Sequence, residues 1–298
     1  MALLGVVLSL VACRNSPEPV GSTATTRPSN RMPALERVAV IVMENKEFGE
    51  VIGQEETSYL TGLASDYGVA RRMYGISHPS LPNYLALLGG DTFGIEENCT
   101  DCSVDAPNLV DQLEDTGISW KAYMEGMTEP CSDSDSGSYV KRHNPFMYFE
   151  SISSDPNRCG KVVPLDELET DLAGGLPQFT WITPGLCNGT HDCGVDEGDQ
   201  FLSQLVPPLL EALGPNGVLF ITYDEGSTDE GCCGTAAGGR IPFVVAGGAA
   251  QRSVVSDSPH TLYSVLRAIE ETFGLEPLGW AKCDCTSSLG EFVKSNSP

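Results

Sequence analysis

The sequence predicts an α/β fold, a doubly wound and mostly parallel sheet flanked by helices. Two observations carry that reading. β-Branched and aromatic runs at 37–43, 178–183, 217–223 and 241–246 read as strands, three of them nearly continuous in apolar residues, as parallel strands buried on both faces should be. Helical patterns fall between and after them, at 80–89, 106–115, 165–173, 196–213 and 260–273, and such alternation puts ligands at the carboxyl ends of the strands. In the last helix Leu262, Val265, Leu266 and Ile269 make one apolar face.

Residues 1–12 are uncharged and almost wholly apolar, too short to span a bilayer but of the length of the hydrophobic part of an export signal peptide. The run ends in Leu10-Val11-Ala12-Cys13, which is similar to the lipobox of bacterial lipoproteins and makes Cys13 the candidate lipidation site. Residues 13–33, rich in Pro, Ser and Thr, bury too little apolar surface to order themselves and read as a flexible tether. Residues 34–298 are long enough for one large catalytic domain. The chain is therefore expected outside the cytoplasm, as a cell-surface lipoprotein or a secreted protein.

Cysteine usage agrees. Setting Cys13 aside from the 11 leaves an even number, which with an export signal predicts disulfides. CTDC at 99–102 and CDC at 283–285 lack the paired spacing of a zinc finger or ribbon. Adjacent Cys232 and Cys233 are expected to pair with different partners, because a bridge between neighbours needs a strained peptide.

A net charge of −24 and a pI near 4.3 exclude a nucleic-acid surface, which would need a basic stripe. An acidic protein binds phosphate only where metal ions or local cations override the surrounding field. The Asp133, Asp135, Gly137 spacing resembles half a calcium loop, but its third ligand position and closing Glu are missing.

The chemistry gathers at strand ends. Glu44 and Asn45 follow one buried strand and Asp224 and Glu225 follow another, each presenting oxygen ligands of the kind hard cations prefer. One such pair alone reads as a helix cap or a solvated loop; two after two core strands read as a metal site. Ser80 opens a helix that it can cap, with Pro82 tolerated in the first turn, and a serine there faces the backbone N–H groups and dipole that attract phosphate. Asn83, one turn in, has an amide that would reach a phosphoryl oxygen or bond solvent. His78 lies two residues before Ser80. His191 follows the strand at 178–183 and is flanked by Cys187 and Cys193, whose mutual bridge would hold its loop rigid enough to place a ligand or a general acid.

MENKEFG, HPSLPNYLALLGG, CNGTHDCG, ITYDEG and HTLYSVLRAIEETFG together resemble the phosphoesterase family that includes bacterial secreted acid phosphatases and phospholipases C, within the alkaline-phosphatase-like superfamily. The likeness spans about 38 to 275. It implies an alkaline-phosphatase-like fold, a divalent metal held by Glu44, Asn45, Asp224 and Glu225 together with the Ser80 oxygen, Ser80 as a transiently phosphorylated nucleophile, and Asn83 steadying the phosphoryl group. The S-L-P-N stretch is similar to the T-F-P-N stretch of nucleotide pyrophosphatases, which favours Ser80 over Ser77. Glu225 stands where two-metal members have His, and Gly185 near where they have a ligand Asp, so a second metal site is in doubt.

The expected activity is a metal-dependent phosphomonoesterase acting through phosphoserine on a small phosphate ester or a phospholipid head group. His191 is the first candidate to protonate the leaving alcohol or complete the metal site; Lys121, His143 and His260 are candidate phosphate contacts. Two rivals share the features: a phospholipase C-type phosphodiesterase, and a non-catalytic metal-binding surface lipoprotein tethered at a membrane.

Overall fold

A computed structural model describes residues 31–295. The expected signal peptide at 1–12, Cys13 and most of the expected 13–33 tether lie outside the described residues. The tether's end does not: Met32 is buried and its N–H donates to Glu271 Oε2 at 2.9 Å, so the folded domain begins at least two residues before position 34.

Eleven strands are found among the described residues: β1 Arg37–Met43, β2 Gly68–Ala70, β3 Met73–Tyr74, β4 Trp120–Met124, β5 Val162–Pro164, β6 Phe179–Thr183, β7 Gly217–Tyr223, β8 Arg240–Ile241, β9 Phe243–Ala246, β10 Val254–Ser256 and β11 His260–Thr261. Eight form one sheet in the order β10-β2-β9-β7-β1-β6-β4-β5, and β11-β3-β8 form a small second sheet. The stretch β7-β1-β6-β4-β5 is parallel throughout. β1 and β7 are buried along nearly their whole length, which their unbroken Val, Ile, Leu and Phe content requires.

β9 runs antiparallel to both β7 and β2, against the expectation of a parallel strand at 241–246. It returns from β7 through a loop with no crossover helix, and such a direct return reverses the chain. The stretch 92–160 supplies β4, which pairs with β6 and β5 inside the sheet.

Helices flank the sheet. Ser58–Asp66 packs on Val195–Leu213, whose Asp199 carboxylate accepts the N–H groups of Tyr59 (2.9 Å) and Leu60 (2.8 Å) and so satisfies donors at its neighbour's amino end. Ser80–Gly89 packs against Leu262–Phe273 and is buried at every residue. It stops at Gly90, in the left-handed region at φ 77°, where a Cβ would come within 2.6 Å of the Leu278 carbonyl oxygen.

Five disulfides are present among the described residues: Cys99–Cys102, Cys131–Cys159, Cys187–Cys193, Cys232–Cys233 and Cys283–Cys285. Cys232 and Cys233 pair with each other rather than with separate partners. The chain turns back tightly there: Cys232 and Ala236 exchange backbone hydrogen bonds at 3.0 and 3.2 Å, and Cys233 is left-handed at φ 63°, which turns the neighbouring sulfurs together.

Candidate active site

Adjacent parallel strands set the site's floor. β1 and β7 run in register from Arg37↔Gly217 to Met43↔Tyr223, so the next residues, Glu44 and Asp224, lie side by side at the carboxyl edge. The Asp224 N–H donates to Met43 O at 2.9 Å. Asn45 then turns the chain in the left-handed region at φ 56°, which asparagine tolerates, and its N–H donates to Asp224 Oδ1 at 3.0 Å. The N–H of Glu225 donates to the same oxygen at 2.7 Å.

Ser80 arrives on the helix 80–89 and is 2% exposed. It is the first helical residue, with Pro79 at the cap position, so it does not cap the helix; its Oγ instead donates to Glu225 Oε1 at 2.9 Å. The other Glu225 oxygen meets His78 Nδ1, and His78 Nε2 lies 3.0 Å from Thr228 O. Burial and Asp224 push the Glu225 carboxyl up to about 7, while His78 and Ser80 pull it back. Burial and neighbouring Asp224 also hold the Glu44 carboxyl well above its ordinary range, and burial raises that of Asp224.

Glu44 is fully buried. Its Oε1 accepts from the Tyr84 hydroxyl and lies 3.2 Å from His143 Nδ1. Its Oε2 has no partner, nor has Asp224 Oδ2. Buried carboxylate oxygens without donors are costly, and the neighbouring charges of Glu44, Asp224 and Glu225 repel one another; a cation would offset both costs. Among the described residues no three His, Cys, Asp or Glu side chains are gathered in metal-holding geometry. Ser80 and Asn45 fall outside that set, and their oxygens, with the two unpartnered carboxylate oxygens, are of the chemistry that fits a hard cation. At Gly185 a Cβ would meet the Ser138 side chain at 2.8 Å, which leaves no room for an acidic ligand there.

Two loops brace this floor. Gly189 O accepts the Glu44 N–H at 2.8 Å and Thr190 Oγ1 donates to Glu44 O at 2.7 Å, from the loop closed by Cys187–Cys193. Glu47 Oε1 accepts from Ser227 N (3.0 Å), Thr228 N (3.0 Å) and Thr228 Oγ1 (2.8 Å), which ties the turn after Glu44 to the turn after Glu225. His191 stands at the rim with Nδ1 2.6 Å from Asp192 Oδ1 and Nε2 3.4 Å from an Arg142 nitrogen, its ring 5.5 Å from that of His143.

Glu44, Asn45, Ser80, Asp224 and Glu225 are thus brought together, with His191 near. Four other expectations are corrected. Asn83 is fully buried and its amide donates to Ser77 O (2.8 Å) and Pro79 O (3.2 Å) while its Oδ1 accepts from Ile76 and Ser77 N–H, so it shapes the turn before Ser80 and has no donor left for phosphate. Lys121 is level with Ala39, five residues or roughly 16 Å below Glu44 along the strands, and is paired with Glu167 and Asp171 at 2.8 Å. His143 is 3% exposed, with Nδ1 3.2 Å from Glu44 Oε1, so it is buried against that carboxylate rather than open to a phosphate. His260 is buried in the small sheet, 3.1 Å from Glu291 in the carboxyl-terminal segment. Sequence reading assigned no role to Tyr84, Glu47, Arg142 or Asp192; Tyr84 follows Ser80 by one helical turn, a spacing visible in SLPNY but without meaning until Glu44 is placed beside it.

A model of the Phosphoesterase family matches residues 54–276, a span that holds Ser80, Asp224 and Glu225 and begins after Glu44. The chain is 28% identical over 279 residues to an acid phosphatase of Aspergillus fumigatus, covering 89% of this chain and 60% of that protein. It is 27% identical over 259 residues to a phosphatidylinositol-3-phosphatase of Mycobacterium tuberculosis, covering 85% and 82%. It spans about three fifths of the length of the fungal acid phosphatases it matches. Among solved structures, a protein in the alkaline phosphatase superfamily from Vibrio parahaemolyticus superposes with a TM-score of 0.56 at 13% identity, over 83% of this chain and 68% of that one, a likeness of fold.

Proposed function

Because the chain belongs to the Phosphoesterase family, we propose that it is a metal-dependent phosphomonoesterase that hydrolyses phosphate monoesters through a phosphoserine at Ser80. The observation that carries the reading is the Ser80 hydroxyl bonded to Glu225 beside the unpartnered oxygens of Glu44 and Asp224. Glu44, Asn45, Ser80, Asp224 and Glu225 would hold a divalent cation. Such a cation supplies positive charge that lowers the pKa of the serine hydroxyl and offsets charge on the phosphoryl oxygens.

The chain's own groups account for the proton movements. Glu225 Oε1 receives the Ser80 proton as Oγ attacks phosphorus in line and the alkoxide leaves. As an imidazolium, with Nδ1–H held by Asp192, His191 would give its Nε2 proton to that alkoxide, and Arg142, whose nitrogen lies 3.4 Å from Nε2, would then donate to the nitrogen left bare. Water then attacks phosphorus, passes a proton back to His191 and displaces the serine oxygen, which recovers its proton from Glu225, and phosphate departs. Asn83 keeps Ser77 to Pro79 in the shape that presents Ser80.

A lipidated Cys13 would keep the domain at a membrane, so phosphoinositide head groups belong among the substrates tried; a relative's name as a phosphatidylinositol-3-phosphatase supports including them. Five disulfides support an oxidising compartment. The test is a panel of p-nitrophenyl phosphate, bis-p-nitrophenyl phosphate, phosphatidylcholine and phosphoinositides, each with Mn2+, Mg2+ or Ca2+ and after exhaustive chelation. The monoester should turn over fastest and only with metal. Faster diester or phosphatidylcholine turnover would replace the monoesterase reading with a phospholipase C-type one, and full activity after chelation would remove the metal.

A further inference from the structure

A hydroxyl and an imidazole nitrogen converge on one oxygen of a buried carboxylate. Tyr84 is fully buried one turn after Ser80 in the helix 80–89, and its hydroxyl donates to Glu44 Oε1. His143 Nδ1 lies 3.2 Å from the same oxygen. The two rings stack at 5.4 Å with 13° between their planes, and Trp181 closes on Tyr84 at 6.4 Å, so neither ring has room to swing. Oε2, on the same carboxylate, is buried with no partner.

We propose that Tyr84 and His143 are positioning residues that clamp Glu44 by Oε1 and so leave Oε2 as its one oxygen for a divalent cation. The inference rests on the metal-dependent reading above and adds to it the residues that aim the ligand. With the Tyr84 hydroxyl bonded to it and His143 Nδ1 3.2 Å away, Oε1 is poorly placed to ligate, which favours a one-oxygen mode of binding. The same helix then delivers the Ser80 hydroxyl and, one turn on, the group that aims a ligand beside it. Outer partners of this kind are worth about 10–100-fold in metal affinity.

The test is titration of metal-free protein with Mn2+ by calorimetry, for the unaltered chain, Tyr84→Phe, His143→Ala, His143→Gln and the Tyr84→Phe/His143→Ala double variant, with circular dichroism and thermal midpoints alongside. Tyr84→Phe and His143→Ala should each weaken Mn2+ binding about 10-fold or more. The double variant should lose less than the product, because both residues act on one oxygen. His143→Gln, which keeps an N–H, should recover part of the loss. A lowered thermal midpoint with unchanged Mn2+ affinity would mean the two residues only pack, and overturns the proposal. Should Tyr84→Phe fail to fold, the His143→Ala and His143→Gln pair decides it by the same readout. No Mn2+ binding by the unaltered chain would overturn the metal-dependent reading itself, and the clamp with it; equal binding by the unaltered chain and the variants overturns the clamp alone.

Discussion

Glu270 makes the fold itself sensitive to pH. It lies in the helix 262–273 with no exposed surface; Oε1 accepts the Leu278 N–H at 2.7 Å and Oε2 has no partner. Burial pushes its carboxyl from an ordinary 4.5 up to about 8, with Leu278 N–H and Arg267 pulling the other way. A carboxyl raised by folding favours the folded state while protonated. Its contribution is complete below pH 4.5 and falls as pH rises through the window up to about 8, because the unfolded chain releases the proton first. At about 1.4 kcal/mol per pH unit the window sets a ceiling of ~5 kcal/mol, and partial solvation brings the expected loss to a few kcal/mol. Gln mimics the protonated acid and can still accept from Leu278. Glu270→Gln should therefore match the parent within ~1 kcal/mol at pH 4.5 and exceed it by a few kcal/mol above pH 8. Urea unfolding across that range reads the difference directly. Parallel stability curves for parent and variant would show that Glu270 is ionised in the fold at ordinary pH and refute the reasoning.

Two further predictions bear on the site and its frame. Gly75→Ala would drive a Cβ to 2.6 Å from Gly238 O and 2.9 Å from Asp224 O, so it should cost about 1–3 kcal/mol and lower kcat by displacing the Asp224–Glu225 turn; parental kcat would show that the turn absorbs the methyl. Denatured, unreduced protein lacking Cys13 should react with no thiol reagent, and reduction should cost most at Cys131–Cys159, whose 28-residue separation closes the longest loop, about 3–4 kcal/mol. Two or more titratable thiols would contradict the pairing.

Strand β1 and strand β7 were legible to the residue because an unbroken apolar run bounded by a polar residue has few other solutions, and the acidic pairs at their ends were legible for the same reason. Direction was not: apolar content says that β9 is buried, not which way it runs. Strands of two or three residues, such as β2, β3 and β10, are too short to show a period and are fixed by pairing partners far away in sequence. The same limit applies to side chains. Ser80 at a helix start reads as a cap, and only Glu225, 145 residues on, draws its hydroxyl away. Asn83 reads as a phosphate donor until the carbonyls of Ser77 and Pro79 take its amide. Lys121 carries its correction in the local pattern: it sits early in a strand, and the ligands of such a sheet gather at the other end.

The central claim is that Ser80 is the attacking group, and kcat of Ser80→Ala on p-nitrophenyl phosphate tests it most directly. The hydroxyl does not cap its helix, so its loss should leave the circular dichroism spectrum unchanged. Turnover should fall to the uncatalysed background, because no other hydroxyl is bonded to Glu225 among the described residues. Substantial metal-dependent turnover by a correctly folded Ser80→Ala protein would contradict the account and place the nucleophile elsewhere.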